Sequence, residues 1–181
     1  LCARLAEWVN VGLIRPGRAL DLGCGSGRNA IFLARHGFSV EAVDYSNAAI
    51  AWARDRAVEA GVDVSLTCCN VFALEPEASS YDLVYDSGCF HHMAPHRRDR
   101  YVDLVDDEVY ERRSLGSGLG YTEGFLRAIW SRGLEIRVLR QMNKPSAESG
   151  LFGEKFLWVL LARKAQGLHQ HAPAQALANE G

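Results

Sequence analysis

Residues 21–29 read Asp21-Leu22-Gly23-Cys24-Gly25-Ser26-Gly27-Arg28-Asn29, an acid followed by three alternating glycines and then a helix-like run. Just upstream, Arg18-Ala-Leu-Asp-Leu22 is a short apolar run behind a Pro16-Gly17 turn, the pattern of a buried strand. Strand, glycine turn and helix in that order predict the first crossover of an open α/β sheet. Such a turn lies at the carboxyl edge of the strands, where ligands bind. Glycines let the backbone turn sharply there and leave no side chain between it and a flat ligand.

The same alternation continues outward. Arg28 to His36 reads as a helix closed by Gly37, with Ile31, Leu33 and Ala34 as its apolar face. Ser39 to Val43 is a second strand, and Ser46 caps a helix running to about Ala60, with Gly61 as its stop. Val64 to Cys69 and Tyr81 to Tyr85 are the third and fourth strands. Strands separated by helices predict right-handed βαβ units and a mainly parallel sheet. The last third differs. After a helix over His96–Val105, Thr122 caps a helix through Trp130, and Leu134–Gln141 and Phe156–Ala162 follow as two successive strands, an antiparallel hairpin. The fold class expected is α/β: a Rossmann-like, mainly parallel sheet with helices on both faces, three layers in all, and a C-terminal antiparallel β-hairpin.

Two places break the rhythm. The chain passes from Leu104-Val105 straight into the polar Asp106-Asp-Glu-Val-Tyr110 and the glycine-rich 115–120, where a further strand is due. A segment is therefore expected to be absent between Val105 and Asp106. The chain also opens on Leu1 within a helix-like pattern of Leu5, Val9 and Leu13, with no recognisable signal peptide, so an upstream segment is expected too. Residues 1–165 form the expected domain and 166–181, rich in Ala, Gln and His, a tail.

Composition narrows the function classes. The chain has 181 residues, about one domain at roughly 150 residues each. Its 20 basic and 22 acidic residues exclude the broad cationic surface of a dedicated nucleic-acid binder. The longest strongly apolar run, residues 156–162, cannot span a bilayer. The five cysteines are odd in number and lack a CxxC pair, which points away from a disulfide framework or zinc ribbon. A soluble cytoplasmic protein is expected, monomer or homodimer, with a small-molecule partner and neither nucleic acid nor membrane.

The ligand follows from the strand ends. Asp44 ends the second strand, where a carboxylate can accept both hydroxyls of a ribose. Asn70 can offer an amide to an adenine edge, and Val71 its backbone N–H. Together they imply an adenosine-containing molecule. Gly25-Ser-Gly27-Arg-Asn-Ala30 also satisfies the G-x-G-x-x-G/A dinucleotide pattern, so a small NAD(P)-binding oxidoreductase is one reading. Asp21 argues the other way: a carboxylate at the mouth of the turn repels a pyrophosphate and tolerates an ammonium or sulfonium. That favours S-adenosylmethionine.

With Asp44 about 20 residues beyond the glycines and the terminal hairpin, the chain resembles a class I S-adenosylmethionine-dependent methyltransferase from Arg18 to Lys164. Gly27-Arg28-Asn29 and Asp86-Ser-Gly88 resemble the tellurite-resistance and thiopurine methyltransferase group. The resemblance implies strand order 3-2-1-4-5-7-6. It implies Asp21, Gly23, Cys24, Gly25, Gly27, Arg28 and Asn29 at the methionine end of the cofactor, Asp44 and Tyr45 at the ribose, and Asn70, Val71 and Phe72 at the adenine. Asp86 and Ser87 would lie beside the amino-acid part and the methyl group. The fifth strand and the family's N-terminal lid are the departures. A S-adenosylmethionine-binding domain without turnover is the reading from another class.

The acceptor side begins at Gly88-Cys-Phe-His-His-Met93, directly after the fourth strand. Phe90 and Met93 can exclude water, and His91 or His92 can take a proton or orient an anionic acceptor. Alternatively one histidine is a packed wall residue and the other solvated. His92 and His96 have metal-ligand spacing on a helix, but Pro95 starts a new helix between them and no third ligand is placed, so no metal is expected. Cys89 reads as a small packed residue rather than a nucleophile. His96-Arg97-Arg98-Asp99-Arg100 puts cations where the helix dipole disfavours them, either to attract an anion or as a solvated face. Tyr121 is either a flap residue or a core aromatic.

Overall fold

Four short parallel strands organise the chain in a computed structural model that describes residues 1–74, 81–106, 122–131, 134–153 and 158–164. The strands are β1 (Arg18–Leu22), β2 (Ser39–Asp44), β3 (Ser65–Cys68) and β4 (Leu83–Asp86), in the order β3-β2-β1-β4. Between them run α2 (Arg28–Arg35) and α3 (Asn47–Ala60), preceded by α1 (Ala3–Asn10). After β4 come the short α4 (Cys89–His92), α5 (Pro95–Asp106) and α6 (Glu123–Trp130), then β5 (Leu134–Gln141) and β6 (Trp158–Lys164), an antiparallel pair.

Local signals explain most boundaries. The Ser46 hydroxyl accepts from the Ala49 amide at 3.3 Å, and Thr122 accepts from Phe125 at 3.2 Å, each satisfying an N–H that the helix leaves open. β4 is entered two residues later than expected. Asp82 forms its own link across to β1, its amide donating to Arg18 and its carboxylate accepting from the Arg18 amide. α1 ends at Asn10, so Leu13 falls beyond the helix and is exposed, contrary to the expected helical face; Arg4, Leu5, Ala6 and Trp8 are the buried residues of α1.

Alternation along the strands builds two cores. Ala19, Val40 and Ala42 point to one face and pack with Leu5, Trp8, Ala30, Leu33 and Ile50. Leu20, Leu22 and Val43 point to the other, against Tyr101 of α5, Phe72, Phe90 and Trp130. Helices thus cover both faces, as expected for three layers.

The expected single sheet is only partly seen. Its 3-2-1-4 half stands, but among the described residues the hairpin pairs with itself and not with β4. The reason is that no described strand bridges them; the hairpin reaches the domain through side chains, with Val159 buried in the first core beside Val138 and Leu161. α5 runs without a break through Val105 and Asp106. Tyr121, the glycine run before it and the tail from Gln166 lie outside the described residues. Among those described, no helix is long and apolar enough to cross a membrane.

Candidate active site

Register places four strand ends side by side. Asp21 lies opposite Ala42 and Tyr85, Leu22 opposite Val43 and Asp86, and Asp44 opposite Cys68. The carboxyl edge therefore brings Asp44 and Asp86 within electrostatic reach of Asp21. The charged neighbours that shift Asp21 among the described residues are acids.

Asp21 is almost fully buried on the α2 side of the sheet. It accepts from the Ala30 amide, while its Oδ2 has no hydrogen-bond partner among the described residues. Burial first, then repulsion by Asp86, pushes its pKa up to about 7. A buried unpaired carboxylate is unfavourable. This one has an open acceptor for a proton or for a cationic donor.

The glycine turn wraps over it. Gly23, Gly25 and Gly27 all have positive φ. Gly23 also lies so close to the start of α4 that a Cβ there would sit 2.8 Å from the Cβ of Cys89. At Gly27 a Cβ would meet that of Ala53 in α3 at 3.0 Å. Both positions therefore demand glycine for conformation and for space. The amides of Gly23 and Cys24 both donate to the Val43 carbonyl at 2.9 Å, which ties the turn to β2.

Asp44 holds the turn from the other side. Its Oδ2 accepts from the Gly25 amide and its Oδ1 from Ser46, both at 2.8 Å. A carboxylate has about four lone-pair sites, so these two bonds leave acceptor capacity unused. Tyr45, next along, is 81% exposed and its ring is presented to solvent beside that acid. The Asn70 side-chain oxygen accepts from the Phe72 amide at 3.1 Å, which leaves its NH₂ as the end that can donate outward. Val71 is buried in the second core.

Asp86 behaves differently from its neighbours. Its Oδ1 accepts from the amides of Gly88 and Cys89, and its Oδ2 from Phe90 and the Tyr101 hydroxyl, at 2.6–2.7 Å. All its acceptor capacity is thus engaged in capping α4 and joining it to α5, although burial still raises its pKa. Sequence reading missed Tyr101, which is fully buried; a tyrosine inside the polar helix 95–106 was the available signal. Ser87 is exposed and bonds the Tyr85 hydroxyl, which also meets Cys2.

Around this edge stands an aromatic wall. Phe90 contacts Tyr101 at 5.8 Å and Trp130 at 5.3 Å between ring centroids, and Phe72 meets Tyr101 edge-on at 6.4 Å. Arg100 and Arg97 lie over the Phe72 ring, and Arg98 over Phe90. The basic cluster of α5 is therefore packed on this wall. His92 is exposed at the end of α4, and the side chain of His91 lies outside the described residues. The chain becomes extended at Met93 before α5 starts at Pro95, so the helical spacing of His92 and His96 is broken.

The cysteines are packed. Cys24 is buried and its thiol is pushed up to about 12, by burial and then by Asp21 and Asp44. Cys89, against Gly23, is pushed up to about 11 by burial and then by Asp86. Both stay protonated at neutral pH, unlike an activated nucleophile. Arg28 is exposed at the start of α2, and Asn29 accepts from the Cys2 amide at 3.0 Å, fastening the N-terminal segment beside the turn.

Residues 19–107 match the model of a family described as a methyltransferase domain. The chain is 30% identical to the ubiquinone biosynthesis O-methyltransferase of Chelativorans sp. over 74% of its own length, and spans about half (51%) of that relative. Among solved structures, it is similar to 1,6-didemethyltoxoflavin-N1-methyltransferase of Burkholderia thailandensis, crystallised with S-adenosylhomocysteine. There the TM-score is 0.67 at 25% identity, over 90% of this chain and 77% of that one. TehB of Haemophilus influenzae shares the fold, with a TM-score of 0.69 at 18% identity over 91% of this chain and 63% of that one.

Proposed function

We propose, from a chain whose matched domain and fold are those of the class I S-adenosylmethionine-dependent methyltransferases, that it transfers a methyl group from S-adenosylmethionine to a small acceptor. The observation that carries this reading is Asp21. A buried carboxylate oxygen without a partner, flanked by two more acids, calls for a cationic ligand group and is hostile to a pyrophosphate. The functional unit is 1–165, and the free cysteines suit a reducing cytoplasm.

When bound, S-adenosylmethionine supplies a methyl group on a sulfonium, which an in-line nucleophile displaces to leave the thioether. The chain's residues position and shield. Asp21 Oδ2 receives the ammonium, with Gly23, Cys24, Gly25, Gly27, Arg28 and Asn29 around the same end. The open sites of Asp44 receive the ribose hydroxyls beside Tyr45, and the Asn70 amide faces the adenine edge with Val71 and Phe72. Asp86 and Ser87 shape the end of β4. Phe90, Tyr101 and Trp130 exclude water, which strengthens every electrostatic contact made inside. The acceptor is a soft thiol, selenium or tellurium nucleophile, a class that an apolar aromatic wall suits better than it suits a strongly hydrated anion. His91 or His92 takes its proton.

Calorimetric titration with S-adenosylhomocysteine, with NAD in parallel, tests the cofactor. Micromolar binding of the first and none of the second is expected. Asp44→Asn should weaken it about tenfold, the equivalent of one charge-assisted hydrogen bond. Binding of NAD alone would move the chain to the oxidoreductase reading, and binding of neither would overturn both. A methyl-transfer assay with a thiol, a selenol and a tellurol then separates an enzyme from a domain that binds without turnover. Alanine at both His91 and His92 should cut the rate by about two orders of magnitude; an unchanged rate removes them from the mechanism.

A further inference from the structure

We infer that Arg56, in the middle of α3, is a positioning residue that sets the conformation of the glycine turn, and so the cofactor affinity, without touching the ligand; this rests on the function proposed above. Its Nη1 donates to both the backbone carbonyl and the hydroxyl of Ser26, at 3.2 and 3.0 Å, across 30 residues of chain. The guanidinium stands over the ring of Trp52, one helical turn earlier, at 5.9 Å. Ala53, on the same helix face, is the residue that Gly27 abuts. One face of α3 therefore presses on the turn at Gly27 and grips it at Ser26.

This grip has a counterpart. Asp44 takes the Gly25 amide from the β2 side, while Arg56 takes the Ser26 carbonyl from the α3 side. The Gly27 amide closes the turn on the Cys24 carbonyl at 3.0 Å. A run with three glycines in seven residues has a large conformational freedom to lose. Pinning the peptide units on either side of the Gly25–Ser26 peptide from opposite directions removes that freedom before the ligand arrives, so binding need not supply it. One guanidinium nitrogen reaches both Ser26 oxygens at once, and the Trp52 ring beside it favours the delocalised guanidinium. A lysine ammonium can donate to the same oxygens but is more strongly hydrated and lacks the planar face that stacks on a ring.

The test compares Arg56→Met, Arg56→Lys and Ser26→Ala with the wild type in S-adenosylhomocysteine titration, thermal melting, and hydrogen exchange at the Gly25–Gly27 amides. Arg56→Met should weaken binding about tenfold and speed exchange at the Gly27 amide by a similar factor, because one charged hydrogen-bond system is lost. The melting temperature should move by only a few degrees. Arg56→Lys should recover part of the affinity, and Ser26→Ala should weaken binding in the wild type but add little in the Arg56→Met background. Unchanged affinity and exchange in Arg56→Met would overturn the inference, as would full additivity of the two substitutions. If the wild type binds no S-adenosylhomocysteine, the proposed function fails, and hydrogen exchange alone still decides whether Arg56 holds the turn.

Discussion

Asp21→Asn should reduce S-adenosylhomocysteine binding by at least a hundredfold and, at pH 8, make the ligand-free protein more stable than the wild type. Both effects come from one carboxylate. Its pKa in the fold is about 7, against an ordinary value of 3.8, because it is buried beside Asp86 and Asp44. A carboxyl whose folded pKa is raised contributes fully to stability below pH 4, and that contribution is lost as pH climbs from about 4 to 7. Above pH 7 the empty fold must hold a buried charge. Asparagine keeps the shape and never ionises, so the stability difference between variant and wild type should be small at pH 4, grow to pH 7 and level off above it. Melting curves at pH 5 and pH 8 read this directly. Binding shows the opposite face of the same chemistry. A cationic ligand group needs the ionised acid, so wild-type affinity should fall about tenfold per pH unit below 7, with one proton released per ligand bound. Titrations in buffers of different ionisation enthalpy count that proton. A pH-independent affinity, or an asparagine variant that binds like the wild type, would remove Asp21 from the cofactor site.

The pieces of this site that could be read along the chain are those whose cause is local. The run from Asp21 to Asn29 announces its strand, turn and helix because each signal lies within a few residues of the next. Ser46, Gly61 and Thr122 mark helix ends for the same reason: a cap needs only its own neighbours. The order β3-β2-β1-β4 follows from the handedness of successive crossovers. What stayed hidden depends on residues that meet only after folding. Nothing near Arg56 says that it will grip Ser26, and nothing near Asp86 says that a tyrosine 15 positions later will fill its last acceptor site. The acid at the end of the fourth strand is placed beside the ligand by the resemblance, and nothing local to it announces its other partners. Its hydrogen bonds, which periodicity cannot see, tie it to α4 and α5. Leu13 is the converse case. Its spacing from Leu5 and Val9 continues a helical face, but Gly12, with φ +71°, follows the helix end and turns the chain away.

Asp86→Ala should be the most damaging single substitution at the carboxyl edge. It strips the acceptor from three consecutive amides and from the buried Tyr101 hydroxyl at once. Leaving such donors unpaired costs about 3 kcal/mol or more, a large part of the 5–15 kcal/mol that holds a typical domain. Urea denaturation should show an unfolding free energy lower by that amount, with Tyr101→Phe, which removes one of the four bonds, costing about 1 kcal/mol. Stability alone would not distinguish a structural cap from a group that also acts on the cofactor site, but the charge does. Asp86 is, after burial, the largest influence raising the pKa of Asp21. Asp86→Asn retains one acceptor and much of the cap while deleting the charge, so Asp21 should ionise at lower pH. The onset of the affinity loss on acidification should then move down from about pH 7. Tyr101→Phe, which leaves the charge in place, should not lower it. If Asp86→Asn keeps the wild-type pH profile, the two acids are uncoupled and Asp86 serves the fold alone. A downward shift shows that the cap of α4 also sets the pH at which the empty site becomes ready for its cationic ligand.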